Sequence, residues 1–487
     1  MMSVLAVWLL CAGLGMASET VVTTNDGPDV LIHNGTIVAT AADYEMNGTM
    51  WVAFTVLEDS NTYVYKSLGH GIGWECRFSL RRYADIFDKL QLVVGEGDSG
   101  FVHLFYLINS SGGDLWQVRY REGGMPVQSP VAAGPDTITD FAVCRDYTGS
   151  DYWLYAALTY PEAVGGYRAL RFLRSADYGS NWAQTDSYAV QVRDPFLAAG
   201  AGSRIYFAAH SRWSAGAVHV WTNRRYLAPG EWHHGLWLSD SENIADPVVA
   251  AAFTMPESTA TVWALWSQNY QNSGDWDVKY SYSTDGGIIW SPPVFLAGTA
   301  SDDEGFPDLR NYTSPGNPYV NASYIVDNNV VRRVHRRYAN AASPTEWSDT
   351  LRINEGSAGT GSEVRPKLCY SAGGPFTGAG CVFVGAGLNG CWWNAPYPGA
   401  VEGEKNASRT VGLRVEPAVG TAPFRISGGG PALVSIHDFA GRVVRTMPLD
   451  HGRAVWDGRD NEGRVVANGV YFVRQEPNNV AKVVQMH

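Results

Sequence analysis

The sequence is poor in charged residues, and beyond its N-terminus it lacks both a long apolar run and any metal-ligand motif. Charged side chains make up 17% of the 487 residues, and the formal net charge is −12. This acidic balance argues against nucleic acid or an anionic membrane as the main partner. No Cys-x-x-Cys or His-x-x-x-His spacing indicates a zinc site. We therefore expect no metal, no cofactor and no transmembrane segment.

The chain is rich in the residue types that favour strands and tight turns. Aromatic residues make up 12% of the sequence, and glycine occurs 53 times. Val, Tyr, Trp and Thr favour strands, whereas long helices need runs of Ala, Leu, Glu and Lys. The composition predicts an all-β protein.

The first residues, MMSVLAVWLLCAGLGMAS, hold an apolar stretch from Val4 to Leu14 that is followed by Gly15 and Ala17. The stretch is too short to span a bilayer, and we interpret residues 1–17 as a secretory signal peptide; a buried strand is the alternative. Five cysteines remain after it, so at least one thiol is unpaired or pairs between chains. Cys369 and Cys381 could face each other on adjacent strands.

A phrase that places Pro near the start of an apolar strand recurs along the chain: RDPFLAAG at 193, ADPVVAAA at 245, FPDLRNY at 306 and RPKLCYS at 365. Further strands follow each phrase, and units begin near 37, 90, 139, 194, 246, 306 and 364. Four antiparallel strands in about 50 residues are typical of a β-propeller blade. We favour seven blades, with six as the alternative, and expect the N-terminal DVLIHNG to supply the last blade's fourth strand and close the ring.

Two turns between a third and a fourth strand share the pattern Ser-x-Asp-x-Gly-x-x-Trp: SADYGSNW at 175–182 and STDGGIIW at 283–290. A hydroxyl and a carboxylate two residues apart can bond the turn's own backbone, Gly can adopt a positive φ, and Trp can cover the hairpin. The fixed positions are Ser175, Asp177, Gly179, Trp182, Ser283, Asp285, Gly287 and Trp290. We interpret them as structural.

This pattern resembles the Asp box, or bacterial neuraminidase repeat, of sialidases and related propellers. The resemblance implies a sialidase-like propeller over residues 18–400. It covers the turns and blades but not the catalytic set, because the Phe/Tyr-Arg-Ile-Pro motif of sialidases is missing near the start of the ring. The nearest string, FRIS at 424–427, lies in the C-terminal region.

The turns between third and fourth strands lie at one face of such a ring. The resemblance to sialidases implies that a binding site lies at the opposite face, where first strands begin. We name three weak catalytic candidates there: Asp194, Asp246 and Asp308. Ligand-binding candidates at that face are Arg193, His210, Arg212, Trp213, Tyr270, Glu304, Glu363 and Arg365.

After a polar linker at 401–410, residues 411–487 show short strands joined by Gly, Asp and Asn turns, which predict a small β-sandwich. The run VWDGRDNEGRVVANGVYFVR resembles C-terminal domains of the FlgD-like immunoglobulin fold, including sorting domains of the type IX secretion system. That resemblance implies a bacterial source, export to the cell surface or medium, and the secretion machinery as a partner.

Two functions from different classes fit these observations. The first is a secreted, surface-associated and monomeric sialidase-like propeller that binds a glycan or cell-surface protein without turnover. The alternative is a glycoside hydrolase, either a divergent sialidase or another propeller glycosidase, that uses carboxylates at the face where first strands begin. A third possibility is a structural surface module with no small ligand.

Overall fold

A computed structural model describes residues 21–22, 29–394 and 414–486 with interruptions. The gaps fall at 46, 70, 82–88, 96–99, 109–112, 133–136, 147–152, 164–166, 191, 202–203, 212–216, 224–231, 234–242, 253, 255, 257–258, 270–273, 300, 312–316, 374–375, 417–418, 428–432, 439–441, 449–452 and 476–478. The predicted signal peptide and the predicted 401–410 linker lie outside the described residues. The chain divides into two compact units, Met1–Pro398 and Gly399–His487.

The first unit is built from consecutive groups of four strands, and within each group neighbouring strands pair antiparallel. We number these groups 1 to 7 in chain order. Group 1 contains the second half of Val30–Tyr44 with Met50–Val56, Asn61–Gly69 and Ile72–Arg81, and group 2 contains Leu90–Val94, Phe101–Ile108, Asp114–Arg121 and Val127–Ala132. Group 3 contains Asp140–Arg145, Leu154–Ala163, Tyr167–Ser175 and Ala183–Ala189, and group 4 contains Val192–Ala199, Ile205–Ser211, Ala217–Asn223 and Trp232–His233.

Group 5 contains Asn243–Ala251, Val262–Asn269, Trp276–Ser283 and Val294–Ala297. Group 6 contains Asp303–Asn311, Tyr319–Asp327, Arg332–Asn340 and an outer strand split into Ser343–Trp347 and Thr350–Arg352. Group 7 contains Lys367–Gly373, Phe376–Val384, Asn389–Asn394 and the first half of Val30–Tyr44. Val21–Val22 adds a parallel strand to Thr350–Arg352. A 3-10 turn spans Ala386–Leu388. The prediction of an all-β chain of small antiparallel sheets is confirmed.

One long strand, Val30–Tyr44, belongs to two groups. Its first half pairs with group 7, where Val30 lies opposite Trp393, and its second half pairs with group 1, where Ile37 lies opposite Val56. The first strands of consecutive groups contact one another in a closed cycle, and that of group 7 contacts that of group 1. A closed cycle of small sheets around their first strands is the architecture of a β-propeller.

Second strands are buried on both faces because each sheet is packed between two neighbours. Every residue of Met50–Val56 and of Val262–Asn269 is buried. Large aromatic residues fill the spaces between sheets, and Trp51, Trp263 and Trp393 are at most 2% exposed. The aromatic, β-branched composition thus follows from strands that bury both faces.

Side chains from one group form hydrogen bonds with the backbone of the first strand of the next group, which is the inner edge of that sheet. Asp43 Oδ2 accepts a hydrogen bond from the Val94 amide at 2.8 Å. Gln91 bonds both the amide and the carbonyl of Val143 at 2.7 Å. These bonds matter because an inner edge strand would otherwise leave unpaired amides facing the axis.

The second unit has two sheets that share one core. The three-stranded sheet contains Arg414–Glu416, Phe424–Ser427 and Arg453–Trp456, and the five-stranded sheet contains Val419–Gly420, Asn479–Gln485, Gly469–Gln475, Leu433–Asp438 and Val443–Pro448. Phe424 and Trp456 from the first sheet pack with Val434 and Val473 from the second. The Trp456 indole N–H donates to the Arg459 carbonyl at 2.9 Å.

All five cysteines of the described chain are free thiols. Cys369 lies opposite Gly380, and Cys381 lies opposite Leu368, so the two cysteines are one register step apart rather than facing each other. Burial raises the pKa of both thiols, which makes them poor nucleophiles.

Candidate functional site

The first strand of each group begins at one end of the sheets, which we call the leading end, and the third-to-fourth turns lie at the other, the turn end. The register in group 5 shows this separation. Ala245, beside Asp246, lies opposite Ser267, whereas Ser283 of the turn pattern lies opposite Val262, at the other end of the same second strand.

At the turn end, the 283–290 pattern is closed by its own hydrogen bonds. Ser283 Oγ donates to Asp285 Oδ1 at 2.6 Å and accepts from the Gly287 amide at 2.9 Å. Asp285 Oδ1 also accepts from the amides of Ile288 and Ile289, both at 2.9 Å. Trp290 is buried, and its indole N–H donates to the Gly287 carbonyl at 3.1 Å. Every fixed residue therefore contacts the turn itself.

The 175–182 pattern repeats these contacts in group 3. Ser175 Oγ donates to Asp177 Oδ1 and accepts from the Gly179 amide, both at 2.9 Å, and Asp177 accepts from the Asn181 amide at 2.8 Å. Gly179 has φ +73°, where L residues are strained. Trp182 differs from Trp290, because its indole N–H has no hydrogen-bond partner within the described chain, although its ring packs against Phe105.

Local hydrogen bonds hold these turn carboxylates in the ionised state. Partial burial opposes the charge of Asp285, but the bonds from Ser283 and the backbone amides outweigh it and lower the pKa. The same balance lowers the pKa of Asp177, where Asn181 is the main donor. A carboxylate that is already saturated by donors and has a lowered pKa is a weak base and a poor proton donor.

At the leading end, the first strands of groups 4, 5 and 6 each contain a bulge at an Xaa-Pro step. Asp194, Asp246 and Phe306 precede Pro195, Pro247 and Pro307 and have φ of +51°, +52° and +54°. The pairing registers break there. Positive φ in a non-glycine residue is uncommon and costs about 1 kcal/mol or more. Bulges of this kind redirect a side chain, and two of these three residues are acids.

One part of the leading end joins groups 2, 3 and 4. Lys89 Nζ donates to Asp140 Oδ1 at 2.5 Å, and Asp140 Oδ2 accepts from the Asp194 amide at 3.1 Å. Arg193 Nε lies 3.4 Å from Asp194 Oδ2 and donates to His210 Nδ1. The side chains of Arg193 and Asp194 are 41% and 34% exposed, so they form the open rim of this cluster.

The other part joins groups 5, 6 and 7. Arg365 Nη1 lies 3.8 Å from Asp246 Oδ1 and donates to the Pro307 carbonyl at 3.3 Å. Its guanidinium also interacts electrostatically with Glu363 and Asp194, which links the two parts. We call the combined set the leading-end cluster: Lys89, Asp140, Arg193, Asp194, His210, Asp246, Glu363, Arg365 and Lys367.

Two acids of the cluster have raised pKa values, in contrast to the lowered pKa values of the turn carboxylates, and one lysine of the cluster has a lowered pKa. Burial raises the pKa of Asp194, and the Asp140 carboxylate adds to the rise. Burial also raises the pKa of Glu363, against the attraction of Lys89 and Lys367. Burial, helped by the Arg365 charge, lowers the pKa of Lys367 to about 7. Shifts of this kind mark sites where acids and bases are held out of water.

Beneath the cluster, a cavity of about 30 Å³ is lined in part by Asp43, Arg145 and Arg310 of three first strands. This volume accommodates one or two waters rather than a ligand. The Tyr44 hydroxyl donates to the Asn311 carbonyl at 2.9 Å, and Asn311 Nδ2 donates to the Ala199 carbonyl at 3.2 Å. These bonds join three groups across the axis, and we call the leading end above them the mouth.

Two sequence candidates are closed to a ligand by burial, although Asp308 interacts electrostatically with Arg365 and Lys367 of the cluster. Glu304 is fully buried and accepts a hydrogen bond from Thr299 Oγ1 at 3.1 Å, so its side chain is closed to a ligand. Asp308 is 1% exposed, and its Oδ2 accepts from the Leu368 amide at 2.8 Å. This bond repeats the contact of Asp43 with Val94 and links group 6 to group 7.

Sequence reasoning missed Lys89, Asp140 and Lys367, although each stands at or near the start of a first strand. The signal for Asp140 was its position in its unit, which corresponds to that of Asp194 but lacks the following proline. Arg212, Trp213 and Tyr270 lie outside the described residues. Within the described chain, no group of three His, Cys, Asp or Glu side chains is placed to hold a metal ion, and no helix is long and apolar enough to cross a membrane.

No family model and no curated protein matches this chain. Among solved structures it is similar to an α-L-arabinofuranosidase of Fusarium graminearum, with 11% identity over 78% of this chain and 99% of that chain and a TM-score of 0.44. It is also similar to the Aleuria aurantia lectin, with 15% identity over 68% and 99% and a TM-score of 0.42. A Hadza microbial sialidase has 15% identity over 60% and 64% and a TM-score of 0.41. Similarities at this level concern the fold and say nothing about activity.

Proposed function

We propose that the first unit is a seven-bladed β-propeller whose leading end binds a glycan without turnover. Each four-strand group is one blade, and Val30–Tyr44 closes the ring. The protein is a secreted, surface-associated binding protein in this proposal. A protein surface that presents similar polar groups is the second class of ligand.

The observation that supports this site is the convergence of both signs of charge from five groups on one mouth. Lys89, Asp140, Asp194, Asp246 and Arg365 stand on five different first strands or the segments next to them, and Glu363 adds a second group-7 charge beside Arg365. Charges are costly to hold half-buried unless they are paired or used. Carboxylates and cations side by side suit the hydroxyl rim of a sugar, which both donates and accepts hydrogen bonds.

Burial argues against a pair of catalytic carboxylates among the three sequence candidates. Hydrolysis by two carboxyl groups needs both of them to face the glycosidic bond. The side chains of Asp246 and Asp308 are 3% and 2% exposed, and Asp194 is the accessible member. One accessible acid fits ligand binding better than two-carboxylate hydrolysis.

The raised pKa values of Asp194 and Glu363 favour the alternative, a glycoside hydrolase. A carboxyl group that stays protonated beside an ionised one is the arrangement of a general acid. In this alternative Asp194 donates the proton, and the neighbouring Asp140 is the partner carboxylate.

A glycan array followed by a sugar-release assay tests both functions on the full chain. We expect array binding, no release of sugar, and about tenfold weaker binding in Asp194→Asn and in Lys89→Met, since each loses one charged contact. The matched control is Asp349→Asn, an exposed acid between the two outer-strand segments of group 6, which should bind normally. Release of sugar that disappears in Asp194→Asn would replace the binding function with the hydrolase. An array with no hits would leave a structural surface module.

We also propose that the second unit is an immunoglobulin-like sorting domain of a bacterial secreted protein. Its two sheets around Phe424 and Trp456 support this, together with the sequence resemblance over residues 411–487. Fusing residues 401–487 to a periplasmic reporter in a host with type IX secretion should carry the reporter to the cell surface. A reporter that stays in the periplasm, while a known sorting domain exports it, would contradict this assignment.

A further inference from the structure

We propose a second, independent binding site for a neutral pyranose ring at the seam between groups 7 and 1. Four aromatic side chains meet there: His33, Phe54, Tyr63 and Tyr65. The His33 ring centroid lies 5.1 Å from that of Phe54, 5.0 Å from that of Tyr63 and 5.9 Å from that of Tyr65. We call this set the seam platform. It rests on the proposed function only for its ligand class.

The platform is built across two sheets and reaches the surface. His33 stands on the outer strand of group 7, and the other three rings stand on the second and third strands of group 1. Phe54 is fully buried and forms the base, whereas His33, Tyr63 and Tyr65 are partly exposed. Partly exposed rings on a buried aromatic base offer a rigid apolar surface without a large loss of side-chain entropy on binding.

Polar groups of the protein fix the orientation of these rings. His33 Nδ1 and the Tyr65 hydroxyl form a hydrogen bond at 3.2 Å. The Tyr63 hydroxyl donates to Asp59 and accepts from Asn61 Nδ2 at 3.3 Å. Because Nδ1 is engaged, Nε2 of the imidazole can form a hydrogen bond with a ligand hydroxyl as donor or acceptor, according to the tautomer.

The charges around the platform are already used by the protein. Glu58 accepts from the Thr36 amide at 2.9 Å, which ties the end of the group-7 strand to the loop of group 1. Asp59 accepts from the Asn61 amide at 3.0 Å as well as from Tyr63. Burial lowers the pKa of His33 despite these two carboxylates, which favours the neutral form of the ring. An uncharged platform with engaged carboxylates favours a neutral sugar over a cation.

The platform lies at the same end of the sheets as the mouth. Asp59 and Asn61 belong to the connection between the second and third strands of group 1, which returns to the leading end. An extended glycan could therefore meet both sites from one side, although each binds on its own in this proposal.

Saturation-transfer NMR with the methyl glycosides of glucose, galactose, mannose and N-acetylglucosamine tests the seam platform on the full chain. We expect saturation of ring C–H protons of at least one of these sugars in the wild type. Tyr65→Ala and Tyr63→Ala should lower its affinity about tenfold. Tyr319→Ala is the matched control, since Tyr319 is also a partly exposed aromatic that contacts a second tyrosine ring, Tyr338. It should bind as the wild type does.

Further variants in the same assay distinguish binding at the seam platform from binding at the mouth, and from a seam with only a structural role. Asp194→Asn should retain platform binding even if it abolishes array binding, which distinguishes failure of the proposed function from failure of this inference. If either tyrosine variant fails to fold, His33→Ala provides a second test. It leaves both tyrosines in place and should also weaken binding. The inference is wrong if no methyl glycoside is saturated, if the tyrosine and histidine variants bind as the wild type does, or if tetramethylammonium binds and the sugars do not.

Discussion

Aspartates at the two ends of the sheets have pKa values shifted in opposite directions. At the turn end, Asp177 and Asp285 are surrounded by donors from their own turns, which lower their pKa. At the leading end, Asp194 lies among carboxylates and cations from other groups, and its pKa is raised. One residue type thus has two environments at opposite ends of neighbouring groups.

The difference lies in where each carboxylate finds its partners. The turn aspartates bond within five residues along the chain, so a short pattern is enough to build their environment. Asp194 depends on Asp140, 54 positions away, and on the closure of the ring. Local bonds produce a structural clamp, whereas convergence of distant groups produces a site.

The largest expected effect comes from breaking the buried pair at the mouth. Arg365→Ala leaves Asp246 buried without its neighbouring cation, and we expect the free energy of unfolding to fall by about 3–5 kcal/mol. Chemical denaturation of the full chain measures this change. Adding Asp246→Asn to Arg365→Ala should recover part of the loss, because it removes the unpaired charge.

The exposed Arg193 is the control for that experiment. Its side chain is 41% exposed, so Arg193→Ala should cost no more than about 1 kcal/mol. Equal losses for Arg193→Ala and Arg365→Ala would mean that burial does not distinguish the rim of the mouth from its base.

A pH dependence of stability should originate at Lys367. Its pKa of about 7 lies below the ordinary value near 10.4, so between these values the unfolded chain binds one more proton than the folded one. Stability should rise with pH across that window, by up to about 1.4 kcal/mol per pH unit from this one group. Denaturation at pH 7 to 10 measures the slope, and Lys367→Met should remove this contribution. The same slope in the variant would contradict the assignment.

The smallest expected loss of stability concerns the turn end. Asp285→Ala removes the acceptor of two amides and should lower the free energy of unfolding by about 1 kcal/mol, with no effect on ligand binding. Because the folded pKa is lowered, this stabilisation is fully present above pH 4 and is lost as the pH falls through the folded value. Asp349→Ala changes an exposed side chain between the two segments of the outer strand of group 6 and should change stability by less than about 0.5 kcal/mol. Unchanged stability with lost binding in Asp285→Ala would reverse the roles of the two ends.

Much of the fold could be predicted from the sequence, because the signals are local and repeated. The Pro-containing phrases marked the beginnings of first strands, and DVLIHNG was expected to pair with the last group, as Val30–Thr36 does with Asn389–Asn394. The turn patterns implied contacts among residues at most seven positions apart. Such contacts need no knowledge of the ring.

The composition of the mouth could be predicted only in part. Asp194, Asp246 and Arg365 were found through the repeated phrase, but Lys89 and Asp140 carry no proline or other local mark. Glu304 occupies a similar place in its unit and yet is fully buried with Thr299 as partner. Which way a side chain faces at a bulged strand depends on packing between groups, which the repeat alone does not encode.

A residue-specific titration of aspartate carboxyl carbons by ¹³C NMR, with Asp194→Asn and Asp285→Asn for assignment, tests the contrast between the two ends most directly. It needs no ligand and compares both environments in one sample. Asp194 should titrate above the ordinary aspartate value of about 3.9, and Asp285 should titrate below it. Titration of both at the ordinary value, or in the reverse order, would contradict the division into a structural turn end and a functional leading end.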